Sequence, residues 1–486
     1  MIPAASAPLM DVQERKMADS AGYAGLLDRQ ALQIGKQPAS AIRRLRRIIA
    51  EDPEWSLYTV PPLTDLCLQH IITNFESHPI VEKLIPKHQE HVLQKLSTSL
   101  PLSVTANLIS DEGYWQRCCT KRWEICDTSS YGGSWKRMFF ERHLENIIEH
   151  FIPGVTDLGV IRSALPLCKQ YVKKLNITQL LPPIKMDLRK QDEEEDTSDS
   201  GSDNGTEMST TDHLDLGFVI GALSNLEELH LVYGVKSCGM NFEWNLFDFT
   251  YPDCFSLAKL LKICKTLKVF KLYKSKVDDV KARVLINSLL EHPSLVHLDL
   301  SHNLIGDRGA RAVGKLINHS KLETIDLCNN RIQANGAQVI ALALTRNSIL
   351  TSLNLRLNRL GDEGGQAICH ALLTNSTLTN LHLGSNELSE PTGIVLSLVL
   401  SRNKVLRTIN LSSNRIGMDG GKQLVEGMSD NKTVVEFDLR LTEVGQESEF
   451  CINQILRNNQ ERARLRALQN QPAHPLQYIP SDIKGR

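Results

Sequence analysis

Residues 350–360 read Leu-Thr-Ser-Leu-Asn-Leu-Arg-Leu-Asn-Arg-Leu. Leu353 and Leu355 flank Asn354, so two apolar side chains point one way and a polar one the other, the period of a strand. Leu350 leads into that strand. Asn358 stands three residues after Leu355, and Leu360 closes the pattern. The same spacing returns on both sides: Leu295, Leu298, Leu300, Asn303, Ile305; Leu322, Ile325, Leu327, Asn330, Ile332; Leu378, Leu381, Leu383, Asn386, Leu388; Leu406, Ile409, Leu411, Asn414, Ile416. Weaker copies flank these, with Ser275 after Leu267, Phe270 and Leu272, and Thr442 after Val434, Phe437 and Leu439. First positions fall at 267, 295, 322, 350, 378, 406 and 434, in steps of 28, 27, 28, 28, 28 and 28. Four apolar positions and one polar turn position held in phase over six steps define a repeat.

The pattern is that of a leucine-rich repeat. The repeat asparagines Asn303, Asn330, Asn358, Asn386 and Asn414 suit a buried turn, where an amide can satisfy backbone groups that would otherwise lack partners. Glycines follow at Gly306, Gly361, Gly417 and Gly445, and Asp307, Asp362 and Asp419 precede helical stretches, where a carboxylate caps free N–H groups. One unit cannot bury its own apolar face, but stacked units can. The expected fold is α/β: a solenoid with a parallel inner sheet and outer helices, preceded by a mostly helical N-terminal domain. Its repeat length, with a full helix per unit, resembles the ribonuclease-inhibitor class.

Outside the regular phase the expected organisation is as follows. Residues 1–40 form a flexible N-terminus and 41–150 a helical domain, beginning with a basic helix over Ala41–Ala50 that contains Arg43, Arg44, Arg46 and Arg47. Residues 151–183 are an irregular first repeat, with a strand near Val172, Leu175 and Ile177. Residues 184–212 are an acidic insertion; Asp192 to Asp212 holds nine carboxylates and no Lys or Arg, a composition that cannot order itself. The solenoid occupies 213–445, interrupted after Leu226, Leu229 and Leu231 by an aromatic insert. A capping helix covers 446–470 and a tail 471–486.

The 486 residues carry a net charge of −1 with 41% hydrophobic content, giving no overall attraction to nucleic acid or an anionic membrane. No apolar run reaches the length of a membrane span, and the start lacks the pattern of a secretory signal. Eleven scattered cysteines suit a reducing, intracellular compartment. Phosphate-binding, zinc-protease and nucleophile-elbow motifs are missing. Cys118, Cys119 and Cys126 with His143 fit no familiar zinc spacing. The expectation is a protein with no catalytic residue, metal, cofactor or small-molecule substrate.

Candidate binding residues are those between the paired leucines of each strand, namely His230, Lys271, Asp299, Asp326, Asn354, His382, Asn410 and Asp438, with Arg356 and Arg440 in the next column out. Lining a concave face, they would suit a partner presenting Lys, Arg or backbone N–H groups. Solvated strand residues with no role, or binding through the rim or convex side, remain open.

With the acidic insertion and the helical region containing Trp-Ser-Leu-Tyr-Thr-Val-Pro-Pro-Leu at 55–63, the repeats resemble the family of the leucine-rich-repeat subunit five of the nexin–dynein regulatory complex, also called the t-complex-associated testis-expressed protein 1 family. The resemblance covers most of the chain. It implies a structural role in the axoneme of motile cilia and sperm flagella, within the cytoplasm and cytoskeleton. It implies other subunits of that complex, and doublet microtubules, as partners, and it brings no catalytic residues. Ser275, Thr442 and Thr392 depart from the repeat pattern and put local turn geometry in doubt. A fainter likeness, over residues 84–123 (Leu84, Pro86, Leu108, Cys118, Trp123), is to the F-box, implying a ubiquitin-ligase adaptor. A third likeness is to the Ran GTPase activator, although its acidic segment follows its repeats, whereas here the acidic segment precedes them.

Overall fold

The computed structural model describes residues 46–47, 59–183 and 212–469. The expectations for 1–40, for the acidic insertion up to residue 211 and for the tail 471–486 lie outside them. The chain divides into two compact units, 1–124 and 125–486.

In the first unit, β1 (Arg46–Arg47) pairs antiparallel with β2 (Thr59–Val60). The described part of the stretch expected as a basic helix is therefore a strand; pairing with a distant segment overrides local helix preference. Four helices follow: α1 (Leu63–Thr73), α2 (Pro86–Lys95), α3 (Leu102–Leu108) and α4 (Glu112–Arg122). Trp115 is fully buried and its indole N–H donates to the Ile109 carbonyl at 2.9 Å. The Arg117 guanidinium ties α4 to the end of α2 through the Leu96 and Leu93 carbonyls, at 3.0 and 2.5 Å.

The second unit begins with α5 (Trp135–Glu149) and α6 (Leu158–Cys168), so α5 falls with the repeats and not with the N-terminal helices, the division lying at 124 where the sequence suggested 150. Nine parallel strands then stack in chain order: β3 (Lys174–Ile177), β4 (Glu228–Leu231), β5 (Val269–Leu272), β6 (His297–Asp299), β7 (Thr324–Asp326), β8 (Ser352–Asn354), β9 (Asn380–His382), β10 (Thr408–Asn410) and β11 (Glu436–Asp438). Between them run α7 (Leu216–Gly221), α8 (Tyr251–Ile263), α9 (Asp279–Leu289), α10 (Asp307–Asn318), α11 (Ala334–Leu344), α12 (Gly361–Leu372), α13 (Glu390–Arg402) and α14 (Gly417–Met428); α15 (Gln446–Gln469) closes the array. The repeat leucines are buried between sheet and helices. Each fully buried leucine contributes roughly 1.5–3 kcal/mol of transfer free energy.

Hydrogen-bond ladders fix the register from one repeat to the next. The Asn358 amide donates to Leu327 O at 2.9 Å and Leu355 O at 3.0 Å, and its Oδ1 accepts the Ile332 N–H at 3.1 Å. Asn303, Asn330, Asn386 and Asn414 donate in the same manner to their own strand and the preceding one. The residue before each stands in the left-handed region, including His302, Asn329, Leu357, Ser385 and Ser413. At the weak copies smaller groups take part of the role. Ser275 Oγ accepts the Tyr233 N–H at 3.0 Å and donates to Tyr273 O at 2.9 Å, and Thr442 Oγ1 donates to Leu439 O.

Of the aspartates expected to cap their own helices, Asp307 and Asp362 cap the next one, and Asp279 does the same. Asp279 Oδ1 accepts from Gly306 and Gly309 N–H at 2.6 and 2.8 Å, and Asp307 Oδ1 accepts from Gln333 and Gly336 N–H at 2.8 and 3.0 Å. Asp362 accepts the Ser389 N–H at 2.8 Å and the Thr392 hydroxyl at 2.5 Å, so Thr392, where the glycine phase is lost, adds a hydroxyl to the cap. Asp419 departs from this scheme and pairs with Lys422 at 2.8 Å. Helix stacking brings each carboxylate beside its neighbour's free N–H groups, so capping doubles as a tie between repeats.

Candidate functional site

Parallel pairing places the eight predicted column residues in one row. His230 is opposite Lys271, Lys271 opposite Asp299, Asp299 opposite Asp326, Asp326 opposite Asn354, Asn354 opposite His382, His382 opposite Asn410 and Asn410 opposite Asp438. Their neighbours along each strand are core leucines, isoleucines or phenylalanines, so alternation turns the row to the face opposite the helices. All eight are half-buried, whereas Arg356 and Arg440, two residues further along, are exposed.

Much of the row is occupied with its own backbone. The side-chain oxygens of Asp299, Asp326, Asn354 and Asn410 accept the N–H two residues on, at 2.9, 2.8, 3.1 and 2.9 Å. Amides also bridge repeats, with Asn354 donating to Asp326 and Asn410 to Asp438, both at 2.9 Å. Arg440 clamps its own Asp438 through Nε at 2.9 Å and Nη2 at 2.7 Å. That hydrogen-bonded guanidinium holds the Asp438 carboxyl below its usual range.

Electrostatics divides the row into segments. Burial pushes the Asp326 carboxyl up, and neighbouring Asp299 adds to it against the Cys328 N–H and the Asn354 amide. Two carboxylates side by side, Asp299 with one oxygen engaged and Asp326 with both, form an acidic step that a cation would relieve. Burial, then nearby Lys271 and Lys174, lower the His230 imidazole to about 4. His230 is thus neutral near pH 7 and is a weak candidate for charged recognition. The surface can grip a basic or N–H-bearing partner near Asp299 and Asp326, with Arg356 beyond. Among the described residues no group of His, Cys, Asp and Glu could hold a metal, and no helix is long and apolar enough to cross a membrane.

Two constellations escaped the sequence reading. Asn375, Asn403 and Asn431 start a second ladder at the helix ends. Asn403 donates to Leu372 O at 2.9 Å and Asn375 O at 3.1 Å while accepting the Val405 and Leu406 N–H groups at 2.9 Å. Asn347 and Asn459 extend it. Its signal was an asparagine three residues before the first apolar position in the last four repeats, Asn347, Asn375, Asn403 and Asn431, at the repeat period. The other lies at the N-terminal edge. Glu141, Glu145 and Glu149, one turn apart on α5, accept from β3 and its flanks: Lys173 and Lys174 N–H at 2.8 and 2.9 Å, Asn176 N–H at 2.6 Å, Thr178 N–H at 2.7 Å. Spacing of four residues on a helix matches alternate N–H groups of a strand. Burial pushes the Glu145 carboxyl up to about 8, with Glu141 and Glu149 adding to it despite the Asn176 N–H.

This arrangement of repeated strand, asparagine turn and outer helix defines a leucine-rich-repeat protein. A family model described as Leucine Rich repeat matches residues 291–314, 346–369 and 402–425. The chain is homologous to proteins named Dynein regulatory complex subunit 5. That of Macaca fascicularis is 60% identical over 318 residues, 65% of this chain and 63% of that protein. The Homo sapiens protein is 61% identical over 279 residues, 57% of this chain and 55% of its own length. The Chlamydomonas reinhardtii protein is 33% identical over 226 residues, 46% and 50% of the two lengths. The chain thus spans 50–63% of the length of these curated relatives. They bear out the subunit-five resemblance drawn from the repeats and the 55–63 segment. Among solved structures, Leiomodin-1 Actin-Binding Site 2 is 21% identical with a TM-score of 0.31, over 33% of this chain and 93% of that one. An internalin from Listeria monocytogenes is 18% identical with a TM-score of 0.31, over 51% and 69%. Neither is close enough to bear on function.

Proposed function

We propose that this chain is a non-catalytic scaffolding subunit of the axonemal nexin–dynein regulatory complex. It binds neighbouring subunits through its repeats and helps regulate dynein-driven sliding of doublet microtubules in motile cilia and sperm flagella. The observation that carries this is the identity of about 60% to proteins named as subunit five of the dynein regulatory complex. The concave row supports it physically, because it offers a long polar surface suited to a macromolecular partner and no cofactor is needed for that role. Its contact with a basic partner centres on Asp299 and Asp326.

The test is an endogenously tagged chain in a flagellated cell. The expected result is retention on doublet microtubules after high salt has extracted the dynein arms. A chain that stays wholly in the cytosol would exclude the axonemal role, and recovery with a ubiquitin-ligase scaffold would favour the adaptor. Asp299→Lys with Asp326→Lys then tests the face. Loss of a desolvated interfacial charge pair costs on the order of 2–5 kcal/mol, so other subunits should no longer co-purify. Unchanged recovery would move binding off the concave row.

A further inference from the structure

The outer helical layer has a gap. Helices α8 to α14 run 11–13 residues each, but α7 has six. A six-residue helix spans roughly 9 Å against roughly 20 Å for α8 at 1.5 Å per residue, so it covers only part of its neighbour's flank. Along the uncovered part lies a groove of about 820 Å³ between α7 and α8. Its floor includes Leu223 and Leu260, both nearly inaccessible, and its walls carry Phe255 and Ile263, which are 60% and 66% exposed. One repeat on, the equivalent positions are the exposed, charged Arg283 and Glu291. Here α8 presents two large apolar side chains to solvent, the kind of patch that marks an interaction site.

The groove's lining is net positive. Lys259 and Lys265 line it, and among the described residues neither has a carboxylate within ion-pair distance. The one lining carboxylate, Asp215, is already engaged, accepting the Gly217 N–H at 2.9 Å and the Ser256 hydroxyl at 2.6 Å. The geometry points to a specific occupant: an amphipathic helix of a partner protein, two to three turns long, with an apolar stripe for Phe255 and Ile263 and Glu or Asp on its flank for the two lysines. It would complete the helical layer where α7 stops short, as an apolar helix face laid in an apolar groove. The site is on the convex side, separate from the concave row, so either surface can fail without the other.

The test uses the purified full chain and a fluorescent probe peptide, a stapled helix with Leu at i, i+3, i+4 and i+7 and Glu on both flanks. A second peptide has Lys in place of every Glu. Anisotropy should show the acidic peptide binding at least about tenfold tighter, the step worth one unit of log affinity. Lys259→Glu with Lys265→Glu should invert that order, and Phe255→Ser should abolish binding of the acidic peptide; all three positions are exposed, so the fold survives, as circular dichroism will confirm. No binding, no charge preference, or binding unaffected by Phe255→Ser would overturn the inference. Carbodiimide coupling of Lys259 or Lys265 to carboxylates of residues 184–211 of the same chain would also overturn it, by showing the groove filled from within. Self-association of the chain abolished by Phe255→Ser would do so in favour of a second copy.

Discussion

Replacing Asn358 by Ala tests whether the asparagine ladder holds the repeats in register. Asn358 is 5% exposed. Its loss leaves the Leu327 and Leu355 carbonyls and the Ile332 N–H without their side-chain partners. A buried polar group left unsatisfied costs about 1–3 kcal/mol, with carbonyls at the low end because a second lone pair finds other donors. Two carbonyls and one N–H then sum to roughly 3–5 kcal/mol. Asn358→Ser should recover about half, because Ser275 at the equivalent position accepts from Tyr233 N–H and donates to Tyr273 O. Asn386→Ala should cost less than Asn358→Ala, since Asn386 Oδ1 is buried without a hydrogen-bond partner. The cause is local: Gly361 adopts a φ of +58° and its N–H goes instead to the Asn386 backbone carbonyl at 3.1 Å. Urea unfolding gives the overall cost, and amide exchange at Ile332 reports the repeat itself, which matters because a weakened central repeat lets a solenoid unfold in parts. A loss below about 1 kcal/mol for Asn358→Ala, or equal losses for Ala and Ser, would refute the reasoning.

Three further outcomes are expected. Glu145 has a folded value near 8 against an ordinary 4.5, so the folded state holds a proton that the unfolded state releases, and its contribution fades as pH rises from about 4.5 to 8. Glu145→Gln keeps an oxygen for the Asn176 N–H but cannot titrate; its stability relative to the parent, from urea midpoints, should rise across that window and level off above it, and a pH-independent difference would disprove the assignment. A Cβ added at Gly427 would collide with the Ser397 backbone, so Gly427→Ala should cost roughly 1–3 kcal/mol through forced separation of α13 and α14, and an unchanged melting temperature would contradict this. Leu355→Ala, at a fully buried position, should cost about 2–5 kcal/mol by the same assay.

The fold was legible because its cause is periodic. Leu353, Leu355 and Asn358 recur at a constant interval, and a repeat of that length permits one strand and one helix per turn of the solenoid. What stayed hidden depends on partners far away in the chain. Glu141 acts on Lys173 and Lys174, more than thirty residues on, and nothing about three glutamates on one helix distinguishes an edge cap from a solvated face until the strand lies beside them. Asp307 was assigned to its own helix because local capping is all a linear sequence displays; stacking transfers it to Gly336 in the next repeat. The second ladder was visible in principle, since Asn375, Asn403 and Asn431 keep the period, but a lone polar residue before a leucine reads as loop. Among the predicted row, the residues align as expected, yet the Asx-type bonds of Asp299, Asp326, Asn354 and Asn410 give them structural work that the spacing could not reveal.

Both ends of the sheet are closed by helix side chains, and this constrains how the array meets its surroundings. At β3 the N–H groups that would invite another strand are taken by Glu141, Glu145 and Glu149. Beyond β11 the helix α15 carries the second ladder one step further, Asn459 donating to Asn431 O at 3.1 Å and Val434 O at 2.9 Å while Gln460 Nε2 donates to Val435 O at 2.8 Å. Exposed strand edges are the usual route by which sheets add strands from other chains. Adding a partner strand at β3 would therefore have to displace the α5 carboxyl groups from the strand N–H groups they hold. The contacts proposed above lie on the faces instead. On one side that leaves the row from Lys271 to Asp438, with the acidic step at Asp299 and Asp326 and the exposed Arg356. On the other it leaves the groove beside α8, where two lysines and two aromatic or aliphatic side chains are unclaimed by the fold. For the two contact surfaces proposed above, the charge-reversal pairs at Asp299 and Asp326 and at Lys259 and Lys265 separate the contribution of each face.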